Sequence, residues 1–237
     1  MYFIFDIETV PDLELIRRVL STDETDEELL LQRAGEEISG SRGGFLPPMY
    51  HRMVSWVGLW IENGGNPRQK VSWNGLDEEE GLRQVFDTLL TYKDYGLIHH
   101  NGRGFDLPLL TYRAMKFGLQ MPVRMNHREI RYRYSAVNVD LMDEFSNYGA
   151  SSYPKLKHLG QLIGIPFKQT AEGNQVLEMF RREELDRIEH YCYEDVMATY
   201  IVWLHMKYTT GDITAEIFRN LNDRALSKLK EIQENPA

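Results

Sequence analysis

Ten residues at the start of the chain leave little choice about where they can go. Tyr2, Phe3, Ile4, Phe5, Ile7 and Val10 read as a strand buried on both faces and closed by Pro11-Asp12. Two carboxylates sit inside that apolar run. At two-residue spacing Asp6 and Glu8 project from the same face, roughly 7 Å apart along the strand, so both can reach one hard cation or a close pair. A buried carboxylate without a partner is costly, and the fold must therefore bring something positive to this strand. For a lone Asp-x-Glu an arginine or lysine is the plainer partner. The acids elsewhere in the chain decide between that and a metal ion.

The rest of the composition sets bounds. With 237 residues, 42% hydrophobic and 27% charged, the chain suits one large domain. A single cysteine, Cys192, excludes an internal disulfide and fits a reducing compartment. No apolar run approaches the ~20 residues of a membrane span, and the acids in the N-terminal stretch spoil a signal peptide. The expected location is cytoplasmic, with no membrane partner. A formal net charge of -9 opposes a broadly basic nucleic-acid surface, although a carboxylate cluster that holds metal accounts for part of that charge.

Taken in order, residues 12–50 form an excursion between strands, with an acid-led helix after Ser21 broken by the glycine- and proline-rich stretch 38–48. The glycines of 40–44 make either a loop that covers a site or a plain connection. Residues 53–61 and 70–73 read as strands joined through the turn-forming 63–67, and 76–90 as a helix packed on a sheet. A strand at 95–100 leads into a helix ending near Phe117. A fifth strand follows at 135–140, then a short helix from Lys155, a long one over 183–207 and a last one over 215–232. The order predicts an α/β fold, a mixed five-stranded sheet flanked by helices. The expected units are a domain over 1–210, with 12–50 as an insertion, and a helical extension over 211–237.

Further acids occupy telling places. Asp106 follows a strand and opens a helix with Pro108 in its first turn, which reads either as an N-cap or as a side chain offered to the strand end. Gly102 and Gly104 lack the flanking pattern of a phosphate loop. On the long helix Ile188, Cys192, Val196 and Thr199 belong to an apolar stripe, and Tyr191 and Asp195 fall on or beside it at i, i+4. An aspartate on a packed face again needs a cation. Tyr191 one turn earlier is either core packing or a phenol held at the same spot.

These residues, Asp6-Ile-Glu8-Thr9, Asn101-Gly-Arg-Gly-Phe105-Asp106 and Tyr191-Cys-Tyr-Glu-Asp195, resemble in order the three motifs of DEDD-superfamily exonucleases. The resemblance spans about residues 1–205. It is nearest to the exonuclease domain of family B DNA polymerases and to stand-alone predicted 3'–5' exonucleases similar to it; Val139-Asp-Leu-Met-Asp143 adds to the likeness. It implies a ribonuclease H-like fold and two Mg2+ or Mn2+ ions held by Asp6, Glu8, Asp106 and Asp195. It also implies Tyr191 orienting the attacking water, and hydrolysis at the 3' end of single-stranded DNA to nucleoside 5'-monophosphates. Oxygen donors suit such hard ions. A phenol is a poor base near neutral pH, so orientation of the water is the expected role. A sister subgroup has His-x-x-x-x-Asp, and His190 stands at that spacing from Asp195. On a continuous helix Tyr191 lies about 40° from Asp195 and His190 about 140°, which favours the tyrosine.

Thr9 and Asn101 resemble positions that meet the terminal nucleotide. Phe105 packs under a base or in the core, and Lys155 meets a phosphate or simply starts a solvated helix. Arg124, His127, Arg128, Arg131, Tyr132, Arg133 and Tyr134 form the dense basic and aromatic segment, suited either to a single strand or to a plain edge strand. Asp140 and Asp143 are read as structural. Three functions follow: a DNA exonuclease, an exoribonuclease, or a nucleic-acid-binding protein that keeps the fold without catalysis, which the four retained acids disfavour. Any proofreading would be in trans, with a polymerase or repair protein as partner.

Overall fold

A computed structural model of the protein describes residues 1–40, 44–165 and 174–235, and of Asn174 the backbone alone. Of the glycine-rich connection at 40–44, residues 41–43 lie outside the described set, as do the last two residues of the C-terminal extension.

The expected α/β fold is present, a mixed sheet of five strands in the order β3-β2-β1-β4-β5. The first strand, β1 (Tyr2–Pro11), is central. β2 (His51–Ile61) pairs with it antiparallel and β3 (Pro67–Asn74) continues outward as a meander. On the other side β4 (Gly96–His99) and β5 (Asn138–Asp140) run parallel to it. Between β1 and β2 lie α1 (Leu13–Val19) and α2 (Glu27–Glu37); α3 (Glu78–Leu89) joins β3 to β4. α4 (Asp106–Phe117) and α5 (Arg128–Arg131) precede β5. Then come α6 (Leu141–Phe145), α7 (Leu156–Leu162), α8 (Asn174–Arg181), α9 (Leu185–Thr209) and α10 (Ala215–Glu234).

Strand parity sorts the core into two layers. Phe3, Phe5 and Ile7 face the α3/α4 side with Trp56, Trp60, Leu82 and Leu109. Ile4 faces the other side with Val196, Tyr200 and Ile201 of α9 and Leu221 and Leu229 of α10. Asp6 and Glu8 share the parity of Ile4, so β1 aims both carboxylates at the α9 layer. Gly58 on β2 makes the aromatic layer possible, since a Cβ there would lie 2.0 Å from the Phe3 ring. On the α3/α4 side the fully buried Arg113 of α4 ties the end of β1 to α3: its guanidinium donates to Asp12 at 2.8 Å and to Glu78 of α3 at 2.7 Å. The excursion 12–50 carries its own small apolar cluster of Ile16, Leu20, Leu30, Ala34 and Leu46. Among the described residues no helix is long and apolar enough to cross a membrane.

Local departures from the sequence reading have local causes. The first helix of the excursion, α1, begins where the strand-ending Asp12 accepts a hydrogen bond from Leu15 N–H at 3.1 Å, a cap that the turn reading of Pro11-Asp12 hid. The acid-led helix starts at Glu27 rather than near Ser21, because Asp26 takes the N–H groups of Glu28 and Leu29. The fifth strand is only Asn138–Asp140, since residues 132–137 are turn and irregular backbone. The edge-strand reading of Arg-Tyr-Arg-Tyr therefore does not hold: its first arginine ends α5, and Arg133 and Tyr134 form a turn.

Candidate active site

Three elements distant in sequence converge on the C-terminal half of β1. Asp6 and Glu8 come from the strand itself, just before a register shift between Glu8 and Thr9 in its pairing with β2. Asp106 is the first residue of α4; its cap position is taken by Phe105, so the N-cap reading of Asp106 is displaced by one residue. The carboxylate is buried and faces the strand, where Asp6 raises its proton affinity.

A short clamp holds Asp106 in place. β4 ends at His99, and the loop turns through Asn101 at φ +64°, a left-handed conformation that asparagine tolerates. The Asp140 carboxylate, buried at the end of β5, accepts from the backbone N–H of Asn101 at 2.8 Å and of Arg103 at 3.1 Å. Gly102 N–H donates to His99 Nδ1 at 3.2 Å, and a Cβ at Gly102 would lie 2.6 Å from that ring. Asp143, buried within α6, pairs with Arg103 and Arg133. Both acids are thus structural, as their partners require.

From the opposite side α9 brings Tyr191, Cys192 and Asp195. The Tyr191 hydroxyl donates to the Asp195 carboxylate one turn on. The Cys192 thiol reaches the Asp6 carbonyl at 3.3 Å and its Oδ2 at 3.7 Å, and one ligand atom from each of Asp6, Glu8 and Cys192 lies within 4.8 Å of the others. His190 looks elsewhere, with Nε2 3.5 Å from Glu194 Oε1, on the side where Gln233 of α10 meets Glu194.

The electrostatics are those of a site short of positive charge. Burial is the largest influence on each acid and raises all four. Glu8 is pushed well up by burial and then by Asp6, Asp195 and Asp106, and Asp195 by burial and then Asp6. Asp6 rises to about 6, the thiol of Cys192 and the N–H of Ile7 offsetting part of the burial cost. Burial and the neighbouring carboxylates also hold Tyr191 and Cys192 protonated far above their ordinary range. Other buried acids have partners: Asp12 and Glu78 meet Arg113, and Asp143 meets Arg103. Among the described residues no lysine or arginine forms an ion pair with Asp6, Glu8, Asp106 or Asp195. Four clustered carboxylates and no thiolate make a hard oxygen donor set, which fits divalent cations of the Mg2+ and Mn2+ kind.

The expected substrate contacts fall on the rim. Thr9 Oγ1 lies 3.0 Å from His51 Nδ1, and His51 Nε2 faces Leu46 O at 3.1 Å. A carbonyl can only accept, so Nε2 carries the proton and Thr9 donates to Nδ1; burial lowers His51 to about 4, which keeps the ring neutral. Phe105 packs edge-on to His51, with centroids 5.2 Å apart, and lies 5.4 Å from the ring of the exposed Phe45. Asn101 is exposed at the turn of the clamp. Lys155 is exposed at the cap of α7, tethered to the same region because the preceding Pro154 carbonyl lies 2.9 Å from His100 Nε2.

Sequence reading passed over Cys192 as a member of the cluster, although its i, i+3 spacing to Asp195 was a signal. It had no local signal for His51 or Phe45, whose contacts span the excursion.

Residues 43–237 match the family described as predicted 3'-5' exonuclease related to the exonuclease domain of PolB. Asp6 and Glu8 precede the matched residues. No curated protein matches the chain. Among solved structures it is similar to the family B DNA polymerase from the hyperthermophilic archaeon Pyrobaculum calidifontis, at 16% identity and a TM-score of 0.56, over 87% of this chain and 24% of that one. The chain thus spans about a quarter of that polymerase, and at this identity the likeness is one of fold, ribonuclease H-like as the motifs implied.

Proposed function

Because the chain belongs to the family of predicted 3'-5' exonucleases related to the exonuclease domain of PolB, we propose that it is a metal-dependent 3'–5' exonuclease that removes nucleoside 5'-monophosphates from single-stranded DNA. The observation that carries this reading is the convergence of Asp6, Glu8, Asp106 and Asp195 without a lysine or arginine among the described residues to neutralise them. Acids so arranged are expensive in the absence of a cation, and the arrangement has a use if divalent ions complete it.

In this reading the four carboxylates hold two Mg2+ or Mn2+ ions, which when bound supply Lewis acidity at the attacking water and at the departing 3'-oxygen. The residues of the chain do the rest. Tyr191, kept protonated, donates to Asp195 and offers a phenol oxygen lone pair to orient the water; it does not take the proton. Thr9, its own proton committed to His51, presents its remaining lone pairs to the terminal nucleotide, with Asn101 and Phe105 beside it. Lys155 meets a phosphate from the α7 side. A polymerase or a repair protein is the partner we propose in trans.

The test is digestion of 3'-labelled and 5'-labelled oligonucleotides, in DNA and in RNA, with Mg2+, with Mn2+ and with chelator. The expected result is metal-dependent release of mononucleotides from the 3' end, faster on DNA and lost in Asp6→Ala. Faster turnover of RNA would move the assignment to an exoribonuclease. Binding without cleavage under every divalent ion would reduce the protein to a nucleic-acid-binding fold.

A further inference from the structure

A polyanionic strand on a chain of net charge -9 needs a local cationic surface, and one lies next to the clamp loop. A cavity of about 740 Å³ opens along Asn101–Gly104, floored by Leu107, Met125 and Met142 and edged by Arg103, Arg131 and Arg133. The arginines are undercompensated. Arg103 and Arg133 share one carboxylate, Asp143, at 3.1 and 2.7 Å. Arg131 donates to the neutral amide of Asn126 at 2.7 Å, with no carboxylate paired to it among the described residues. Asp140, the other acid on the wall, is engaged by backbone N–H groups. Beside the cavity stand exposed rings: Tyr132 at 53%, Tyr134 at 59% and Tyr153 at 54% exposure. Tyr134 lies between Tyr132 and Tyr148, at centroid distances of 5.7 and 4.6 Å. Guanidinium groups at the rim of an apolar floor, with exposed rings alongside, form the combination that holds phosphates and stacks bases without reading sequence.

We infer that this cleft and tyrosine ladder are the track for the nucleotides upstream of the one being removed, a single-strand site separate from the acid cluster and joined to it by the Asn101–Gly104 loop. The inference rests on the exonuclease reading for the direction of the strand. Its test does not depend on cleavage.

Fluorescence anisotropy with Ca2+ in place of the working metal measures binding of oligothymidylate of roughly a dozen nucleotides to the full chain, and kcat/KM on a thymidine dinucleotide with Mg2+ measures the acid site alone. Tyr134→Ala and Arg131→Gln alter exposed side chains, and circular dichroism checks that each folds. Each variant is expected to weaken binding of the long strand by roughly 5-fold or more, and Arg131→Gln to flatten the slope of log K against log salt by about 0.7. Dinucleotide turnover is expected to stay unchanged. Long-strand affinity and salt slope equal to the parent's in both variants would overturn the track, as would no binding of single strands by the parent. If the parent cleaves nothing while both variants lose affinity, the track stands and the exonuclease assignment falls.

Discussion

At Asp195 two demands meet that no single residue can satisfy. In the proposed reaction its carboxylate is charged to serve with Asp6, Glu8 and Asp106, yet burial and the charge of Asp6 both oppose ionisation. An amide of the same shape removes the repulsion. Asp195→Asn is therefore expected to raise the melting temperature of the metal-free protein near pH 7.5, to reduce the stabilisation conferred by Mn2+, and to abolish cleavage. Calorimetry with and without the ion checks it, and a metal-free variant less stable than the parent would count against a crowded anionic site. The adjacent pair on α9 yields a second expectation. Tyr191 donates to Asp195 while His190 faces Glu194, so Tyr191→Phe should lower single-turnover cleavage by about 10-fold or more and His190→Ala should leave it nearly unchanged. The reverse pattern would transfer the water-orienting role to the histidine. In the sequence, the helical angle between positions 191 and 195 is what favours the tyrosine over the histidine. The angle could not reveal that α10 supplies Gln233 beside Glu194, the acid that the histidine faces.

The elements of the site were legible unequally. β1, α4 and α9 announce themselves because each carries an acid in an otherwise apolar face. The loop between β4 and α4 does not, because its shape is imposed by Asp140, a residue 39 positions from Asn101 in the chain. The same holds for the segment from Arg128 to Tyr134, where alternating charges and rings imitate a strand while the backbone follows local i, i+3 and i, i+4 hydrogen bonds through Arg131 and Tyr132. The clamp gives an expectation at this scale. Asp140→Ala strands three backbone N–H groups, those of Asn101, Arg103 and Met142, and releases the turn that launches Asp106. It should cost about 1–3 kcal/mol of stability and lower kcat on all substrates, although Asp140 is no member of the acid quartet. Denaturant unfolding and steady-state kinetics on one preparation test it. Normal kcat in a variant that has lost stability would show that the loop holds its shape without the carboxylate.

Across the whole molecule, two sets of buried acids pull stability in opposite directions with pH, and their separation is a property of the sheet. The α9 face holds Asp6, whose proton affinity is raised to about 6, so the metal-free fold binds more protons than the unfolded chain between about pH 4 and 6 and loses stability as pH rises through that window. The α3/α4 face holds Asp12. Burial would raise it, but the hydrogen bonds from Arg113, Leu15 N–H and Lys116 prevail and depress it to about 2. Its contribution, on the order of 2 kcal/mol, is present above about pH 4 and lost as pH falls through 2. The metal-free protein should accordingly be most stable on the acid side of neutrality, with a maximum near pH 4 to 5, and saturating Mn2+ should carry that maximum toward neutral pH. Arg113→Met separates the two limbs. It leaves Asp12 and Glu78 buried without their shared cation, which should cost about 3–5 kcal/mol at pH 7 and flatten the loss of stability below pH 4. The descent between pH 4 and 6 belongs to the other face and should survive. Urea melts from pH 2 to 8, with and without Mn2+, read both limbs; an acid limb unchanged in Arg113→Met would mean that Lys116 and the Leu15 amide hold Asp12 ionised by themselves.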